Sequence, residues 1–256
     1  MRAEIITIGD ELLIGQVVDT NSAWMARRLN QTGISLYQIT SVHDDKEHIQ
    51  TALRDAMLRA DIVLTTGGLG PTKDDITKQV LCDFFHTRLV PSPEVEQHVK
   101  SIYKDRPQVL NRLTATQWLV PESAIVLPNR IGSAPLMLWD RDEHIVAAMP
   151  GVPHEMEVAM DEQILPYLNH WLEERHINTR IYHLTLTVKG IPESALALQI
   201  EDFEDSLPEG MHLAYLPKDG KIRLRLSSYG ECNEEQMHSR FEQLKQLVAN
   251  YLVETE

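Results

Sequence analysis

The sequence predicts a larger α/β domain with a mostly parallel β-sheet, followed by a smaller α+β domain. In the first part of the chain, β-branched runs alternate with segments of helical apolar spacing, as expected for strands joined by helical crossovers. After the polar segment "EERHINTR" (Glu173–Arg180) the pattern changes to strand, helix, two consecutive strands and helix. We therefore expect domains spanning residues 1–172 and 173–256.

Three strand-and-helix repeats open the chain. The predicted elements are a strand at Glu4–Ile8, a helix at Asn21–Thr32, a strand at Ser35–Val42, a helix at Glu47–Arg59, a strand at Ile62–Thr65 and a helix near Asp74–Asp83. Such alternation implies right-handed crossovers and a parallel sheet with both faces covered. Ligands bind beyond the carboxyl ends of the strands in these sheets, where Gly9-Asp10, Asp44-Asp45 and Gly67-Gly68 fall.

The remaining elements follow in two groups. In the first domain we expect helices at Val90–Tyr103, within Pro107–Ala124 and from "MPGVPHEM" through Trp171, with strands at Ala124–Leu127 and Glu143–Met149. In the second we expect a strand at Ile181–Val188, a helix ending near Phe203, strands at Met211–Leu216 and Lys221–Ser228, and a helix at Asn233–Val253.

Composition excludes several classes of protein. A formal net charge of −14 argues against nucleic-acid binding, which depends on lysine and arginine neutralising phosphates. Met1–Leu13 carries acidic residues where a signal peptide would be basic and then apolar, and no apolar run approaches roughly 18 to 20 residues. We therefore expect a cytoplasmic protein without a signal peptide or a membrane partner. Cys82 and Cys232 lie far apart, which indicates reduced thiols rather than a zinc site or a disulfide framework.

The stretch "IVLTTGGLGPTKDDITKQVL" is the strongest functional signal. Gly67, Gly68 and Gly70 follow a strand and precede a helix, where backbone can approach a phosphate closely. The adjacent carboxylates of Asp74 and Asp75 would repel a phosphate unless a cation lay between them, which favours an ion such as Mg²⁺. The alternative is a tight turn in which one aspartate caps the helix.

"GDELLIGQVVDTNS" (Gly9–Ser22) and "HDD" (His43–Asp45) follow the first two strands. Asp10 and Glu11 could add metal ligands, and Asn21 could contact a nucleoside. The alternative is that Asn21 or Ser22 caps a helix and the acidic pairs are only solvated or capping residues.

"NRIGSAP" (Asn129–Pro135) and "MPGVPHEM" (Met149–Met156) are glycine- and proline-containing turns in isolation. Ser133 and Glu155 are their chemically useful members. His98 lies on a helical stretch and is expected to be a surface or packing residue, because the histidines show no metal-binding spacing.

Taken together, "TIGDELLIGQVVDTNS", "TTGGLGPTKDDITK", "NRIGSAP" and "MPGVPHEM" resemble the N-terminal region of the competence/damage-inducible protein CinA family. That region is similar to the three-layer domain of the molybdopterin proteins MoaB and MogA, and a small KH-type domain follows it. The resemblance implies an enzyme that hydrolyses the pyrophosphate bond of ADP-ribose, or of a related nucleoside-diphosphate sugar, to AMP and ribose 5-phosphate in the case of ADP-ribose. It also implies a divalent metal ion (Mg²⁺, Co²⁺ or Ni²⁺), help from K⁺ and a homodimer.

The resemblance also suggests roles for individual residues. Asp44 and Asp75 would be catalytic. The metal set comes from the residues themselves: we expect some of Asp10, Glu11, Asp44, Asp74 and Asp75 to hold the ion. The nucleotide would be bound by Gly9, Asn21, Gly67, Gly68, Gly70, Thr72, Ser133, Gly151 and Glu155.

Two alternatives stay open at this point. The same loops serve molybdopterin binding and adenylyl transfer, and a non-catalytic nucleotide-binding module could assist a nicotinamide mononucleotide deamidase. The chain ends before the deamidase domain that many CinA proteins carry, so we expect that activity to be absent. The second domain has "GIPE" in place of the GxxG loop that clamps nucleic-acid backbones, which again argues against RNA.

Overall fold

The computed structural model describes residues 1–177, 180–230 and 234–255 of the 256-residue chain. Packing divides the chain into two compact units, Met1–Ile177 and Asn178–Glu256. Among the described residues, no helix has the length and apolar composition needed to cross a lipid bilayer. Cys82 is a buried free thiol. Cys232 and Asn233, where the last helix was expected to begin, lie outside the described residues.

The first unit is built on a six-stranded sheet. Its strands and those of a small separate ribbon are β1 (Arg2–Ile8), β2 (Ser35–Val42), β3 (Ile62–Thr66), β4 (Leu89–Pro91), β5 (Leu119–Pro121), β6 (Ile125–Leu127), β7 (Leu136–Arg141) and β8 (His144–Met149). The sheet order is β2-β1-β3-β8-β7-β6, and β4 pairs with β5 in the ribbon. Strands β2, β1, β3 and β8 are parallel, while β7 runs antiparallel to both of its neighbours.

Seven α-helices accompany this sheet among the described residues. They are α1 (Asp10–Leu13), α2 (Thr20–Gln31), α3 (Lys46–Met57), α4 (Thr77–Phe84), α5 (Pro93–Ile102), α6 (Pro153–Ala159) and α7 (Leu165–Glu174). Short 3₁₀ turns lie at Pro107–Val109 and Thr114–Trp118, and a π-helical turn at Met160–Ile164 joins α6 to α7.

Alternating side chains of the central strands fill two separate cores. Ile5 and Leu64 pack with α2, α6 and α7 on one face, whereas Ile6 and Val63 pack with α3 and α4 on the other. Successive residues of a strand point to opposite faces, so a strand buried on both sides is apolar throughout. The arrangement of helices, sheet and helices confirms the predicted three-layer α/β fold.

Most early elements agree with the sequence-based prediction, but the helix after the glycine loop does not begin near Asp74. Helix α4 begins at Thr77, and its N-cap Ile76 makes no side-chain capping bond. Asp75 instead accepts hydrogen bonds from the N–H groups of Gly70 and Thr72. These bonds hold residues 70–75 as a loop, so the capping role considered for either aspartate is wrong.

The middle of the first unit is less helical than its pattern suggested. The helix expected within Pro107–Ala124 is replaced by the two 3₁₀ turns and by β5. The side chain of Asn111 accepts from the N–H of Leu113, and the Thr114 hydroxyl donates to the carbonyl of Val109. Such local side-chain bonds compete with helix formation. Strand β7 was not predicted; it forms a hairpin with β8 through a turn with positive φ at Asp142 and Glu143.

The second unit is an antiparallel sheet with helices. Its elements are β9 (Arg180–Lys189), α8 (Glu193–Gln199), α9 (Glu201–Asp205), β10 (Met211–Lys218), β11 (Lys221–Gly230), α10 (Glu234–Leu247) and β12 (Leu252–Thr255), with sheet order β10-β11-β9-β12. The predicted strand, helix, two strands and helix are present. The last helix was expected to reach Val253; it ends at Leu247 because Leu252–Thr255 pair with β9.

Candidate functional site

A cavity of about 500 Å³ lies at the carboxyl ends of β1, β3 and β8. This is the edge of a parallel sheet at which ligands bind. Its lining contains glycines, carboxylates and small residues, namely Ile8, Gly9, Glu11, Asp44, Gly67, Gly68, Leu69, Gly70, Pro71, Asp74, Asp75, Ser133, Ala134, Pro150, Gly151, Val152 and Glu155.

Glycines let the backbone form one wall of this cavity. Gly67 has φ +112°, and a Cβ there would overlap the carbonyl oxygen of Ile8. Gly68 has φ +65°, and its Cβ would overlap the hydroxyl of Thr77. A Cβ on Gly151 would lie 3.2 Å from the Cα of Gly67, so the two turns pack closely against each other.

Several amide groups on this wall are available to a ligand. Within the part of the chain that the structure describes, the N–H groups of Gly68, Leu69, Gly151 and Val152 donate no hydrogen bond. All four residues line the cavity. Unsatisfied amides of this kind commonly bind phosphate and carboxylate oxygens. The wall therefore has the chemistry of an anion site.

Asp75 organises the loop beside this wall. One carboxylate oxygen accepts from the Gly70 N–H at 2.8 Å, and the other accepts from the N–H and hydroxyl of Thr72 at 2.9 and 2.5 Å. Gly70 has no room for a Cβ because the Asp75 carboxylate lies against it. Asp75 lines the cavity while Thr72 stabilises the loop from outside it.

Four further carboxylates, Glu11, Asp44, Asp74 and Glu155, line the same cavity. Burial raises the pKa of the Asp44 carboxyl; a hydrogen bond from the Asp10 N–H opposes this rise. The negative charges of Asp10, Glu11 and Asp74 raise the Asp44 pKa further. The cavity thus concentrates negative charge next to its anion-binding wall, a combination that a cation would stabilise.

Asp10 does not line the cavity. Its carboxylate lies 2.8 Å from Nδ1 of His43, and its side chain is 65 % exposed. The adjacent Asp45 is the N-cap of α3, where it accepts from the His48 N–H at 3.0 Å. Of the two aspartates in "HDD", Asp44 alone lines the cavity.

Asn21 hydrogen-bonds Gly151 in the wall of the cavity. It is buried, and its Nδ2 donates to the carbonyl of Gly151 at 2.9 Å and to the hydroxyl of Thr66 at 3.3 Å. The Thr66 hydroxyl in turn donates to the carbonyl of Pro150. Neither Asn21 nor Ser22 caps α2, because Asp19 accepts the Ser22 N–H.

Asn129 was missed by the sequence analysis. Its buried side chain donates to the Ala134 carbonyl at 2.8 Å and to Glu155 at 3.0 Å, and it accepts from the Gly132 N–H at 3.0 Å. It therefore joins the "NRIGSAP" loop to the helix that carries Glu155. An asparagine two to three residues before a glycine is a turn signal that could have identified it.

The structure brings most of the predicted site residues together. Those that line the main cavity are Gly9, Glu11, Asp44, Gly67, Gly68, Gly70, Asp74, Asp75, Ser133, Gly151 and Glu155. Asp10, Asn21 and Thr72 lie outside its lining and contact residues that do line it or that hold its walls.

Lys78 does not join the site, although it follows the glycine loop. The side chain is buried, and its Nζ donates to the carbonyl oxygens of Thr116 and Gln117 at 2.9 and 3.4 Å. Burial lowers the Lys78 pKa from 10.5 to about 8. The lysine links α4 to the second 3₁₀ turn at the cost of a buried charge.

Lys78 should make stability depend on pH. Since its pKa is lower in the folded state, the unfolded chain binds more protons between pH 8 and 10.5, and the free energy of unfolding rises with pH there. Between pH 7 and pH 10.5, we expect the free energy of unfolding of wild type to rise by about 3 kcal/mol relative to that of Lys78→Met. Denaturant unfolding at a series of pH values measures this. Lys73→Met replaces an exposed lysine, so its free energy of unfolding should change with pH as that of wild type does. Parallel profiles for wild type and Lys78→Met would contradict the expectation.

Comparison with known proteins identifies the family. The family described as "Probable molybdopterin binding domain" matches residues 4–170, and "Damage-inducible protein CinA KH domain" matches residues 183–255. The crystal structure of CinA from Thermoplasma acidophilum is 30 % identical, with a TM-score of 0.60, and the match covers 64 % of this chain and 96 % of that one. The chain belongs to the CinA family.

Two further members of the CinA family are more similar in sequence. A CinA-like protein of Flavobacterium psychrophilum is 41 % identical over 90 % of this chain, and one of Cytophaga hutchinsonii is 42 % identical over 94 %. The chain spans 54 % and 56 % of these relatives, about half of their length. The CinA-family assignment confirms the predicted resemblance, the molybdopterin-binding-type first domain and the KH-type second domain.

Proposed function

We propose that the Met1–Ile177 unit hydrolyses the pyrophosphate bond of ADP-ribose, or of a related nucleoside-diphosphate sugar, with a divalent cation. One observation carries the proposal: the main cavity places free backbone amides of Gly68 and Gly151 beside the carboxylates of Glu11, Asp44 and Asp74. A diphosphate needs donors for its oxygens, and a cation that neutralises it needs carboxylate ligands. A single cavity offers both.

The carboxylates suit a cation that is shared with the substrate. Within residues 1–177, 180–230 and 234–255, no three His, Cys, Asp or Glu side chains converge into a ready metal cluster. Mg²⁺ is commonly held by one or two carboxylates together with substrate phosphates and water. Glu11 and Asp74 are the ligands we propose. A bound cation would neutralise the diphosphate and favour attack at phosphorus.

Asp10 and Asp75 were also predicted as metal ligands. Asp10 contacts His43, and Asp75 accepts three hydrogen bonds from Gly70 and Thr72. Either residue would have to exchange these partners to bind a metal. We propose that Asp75 acts by holding the phosphate loop, and that a catalytic carboxylate is supplied by Asp44.

Asp44 is suited to accept a proton from the attacking water. Its raised pKa brings it closer to neutral pH than an ordinary aspartate, which improves a general base. Water would add to one phosphorus as the bridging P–O bond breaks, giving AMP and ribose 5-phosphate. During this step Asn21 would hold the turn at Gly151, and Asn129 would hold the turn at Gly132.

Incubation with ADP-ribose tests the proposal. We expect purified protein to release AMP and ribose 5-phosphate in the presence of Mg²⁺, Co²⁺ or Ni²⁺, with more activity in K⁺ than in Na⁺, and a chelator to abolish turnover. Chromatographic separation of the products measures this. Tight metal-dependent binding of ADP-ribose without turnover would instead support a non-catalytic module that assists a nicotinamide mononucleotide deamidase.

The family description favours a second function, molybdopterin binding. Adenylyl transfer to molybdopterin is the catalytic form of that alternative. That function would be supported if molybdopterin displaced bound ADP-ribose and the protein did not hydrolyse ADP-ribose. A homodimer, a cytoplasmic location and the absence of a nucleic-acid partner remain predictions from the sequence.

A further inference from the structure

The sheet of the second unit has one covered face and one open face. Leu186, Leu224 and Leu226 lie on the covered face, where they pack with α8, α9 and α10. Because successive residues of a strand point to opposite faces, the residues next to these leucines point to the open face. Five of the eight lysine and arginine residues in positions 178–256 lie there, namely Lys189, Lys218, Lys221, Arg223 and Arg225. The open face is therefore rich in positive charge.

Negative charge in this unit lies elsewhere. Strands β9, β10 and β11 contain no aspartate or glutamate. Most acidic residues of the unit lie in α8, α9 and α10, whereas Asp219 is in the turn between β10 and β11 and Glu254 is on the edge strand β12. Salt screens exposed charges that are more than about 8 to 10 Å apart. The net charge of −14 therefore does not describe the local charge of the open face.

The five cations are ordered across and along the sheet. Lys218 and Lys189 lie directly opposite Lys221, one on each side of it, and like charges in such positions destabilise a sheet. Arg223 and Arg225 follow Lys221 along β11 at steps of roughly 6.6 Å. Within the described part of the chain, none of the five forms an ion pair, and Nε of Arg225 is buried without a hydrogen-bond partner. An anion bound across this face would offset the repulsion.

Aromatic rings lie at the other end of the same face. The ring centroids of His183 and His212 are 5.9 and 6.2 Å from that of Tyr229, and Ser227 lies between the two histidines in the strand register. Burial, and then the positive charge of Arg225, lower the pKa of His183, so its ring is neutral at pH 7. Tyrosine and histidine rings are surfaces on which unpaired nucleic-acid bases stack. The open face thus combines a line of cations with a group of rings.

This combination matches a single-stranded nucleic acid. Proteins that bind single strands place cations along the phosphate backbone and aromatic rings against the bases. An acidic peptide would use the cations and leave the rings without a partner. A duplex would keep its bases stacked inside the helix, where a flat sheet cannot reach them.

We propose that the open face of the second unit's sheet binds single-stranded DNA, with phosphates along Lys221, Arg223 and Arg225 and a base against Tyr229. Strands β9, β10 and β11 have no carboxylate to accept from a 2′-hydroxyl, the group by which proteins recognise RNA, so DNA is the proposed partner. The inference departs from the expectation, based on net charge and on the "GIPE" turn, that the protein has no nucleic-acid partner. It is independent of the proposed hydrolysis, which belongs to the first unit.

Fluorescence anisotropy with a labelled oligothymidylate of about 15 nucleotides tests the proposal on the whole chain. At about 50 mM salt we expect a dissociation constant on the order of 10 µM. The logarithm of the association constant should fall with the logarithm of the salt concentration with a slope of about −2 to −3, or about 0.7 for each contacted phosphate. A duplex of the same length should bind at least about fivefold more weakly, because its bases are not available for stacking.

Removing two cations from the face should weaken binding. Lys221→Gln combined with Arg223→Gln should bind the oligothymidylate at least about tenfold more weakly, with a salt slope less steep by about 1.4. Arg240→Gln combined with Lys245→Gln removes the same charge from α10 and is the matched control; its affinity should stay within about twofold of wild type. Lys189→Gln, at an exposed residue of β9, repeats the test if the first double variant does not fold.

A second pair of variants tests the rings. Tyr229→Ala should weaken binding about tenfold at constant salt slope, because it removes a stacking surface and no charge. Tyr229→Phe keeps the ring and should bind as wild type does. Thermal unfolding of each variant shows whether the second unit is still folded.

Several outcomes would overturn the proposal. They are no binding by wild type at about 100 µM, equal affinity for the duplex, an equal loss of affinity in the α10 control, and normal binding by Tyr229→Ala. Tighter binding of polyglutamate would assign the face to an acidic protein, and tighter binding of oligouridylate would assign it to RNA; either result overturns the choice of DNA. ADP-ribose hydrolysis, measured separately, can stand or fail without affecting these outcomes.

Discussion

Asp44→Asn is expected to lower kcat/KM for ADP-ribose hydrolysis at least about 100-fold, the usual contribution of a general base. Asp44 lines the main cavity among Glu11 and Asp74, and an amide can neither accept the proton from water nor attract a cation. The fold should be unaffected, because among the described residues the Asp44 side chain accepts a hydrogen bond from the Asp10 N–H alone, and an amide oxygen can do the same. Steady-state kinetics and thermal unfolding measure the two effects.

Asp45→Asn is a matched control for this variant. Asp45 follows Asp44 directly but serves as the N-cap of α3, a position where asparagine is as good as aspartate. We expect its kinetics and stability to equal those of wild type. Near-normal hydrolysis by Asp44→Asn would remove Asp44 from the catalytic role.

Asp75→Ala should lower kcat/KM by about 100-fold as well, through a different physical cause. The carboxylate accepts from Gly70 and Thr72, so its removal releases the loop that flanks the anion-binding wall. Since the loop lies at the surface, the melting temperature should change little. Kinetics and calorimetric binding of pyrophosphate measure the loss.

A comparison with Asp75→Asn separates loop support from direct catalysis. Asparagine keeps one acceptor oxygen and should recover part of the lost pyrophosphate affinity if Asp75 holds the loop. Thr72→Val, which removes one donor, should have a smaller effect than either variant. If Asp75→Asn were as inactive as Asp75→Ala while binding pyrophosphate normally, Asp75 would be a catalytic carboxylate.

The sequence predicted much of the site because parallel strands bring their carboxyl ends to one edge. Gly9, Asp44 and Gly67 each follow a strand of the sheet, so their convergence depends only on strand order and direction. The roles within the site were harder to predict. Both Asp74 and Asp75 line the cavity, but Asp75 also accepts hydrogen bonds from loop N–H groups. The amino-acid sequence alone does not distinguish these two roles.

Features that depend on long-range or local side-chain contacts were missed. The clamp of Asn129 on Glu155 joins residues 26 positions apart, and the pairing of β12 with β9 joins more distant segments. The absence of a helix around Asn111 and Thr114 results from side-chain bonds to nearby backbone. Apolar periodicity reports which face of an element is buried, and it carries no information on such bonds.

The loop held by Asp75 has a thermodynamic consequence. Three hydrogen bonds within the chain hold residues 70–75, so the conformational entropy of the loop is lost during folding. A phosphate that docks against it need not order the chain, and more of the interaction free energy is kept as affinity. Association should therefore be limited by diffusion and desolvation, and no slow loop-closure phase should follow the encounter.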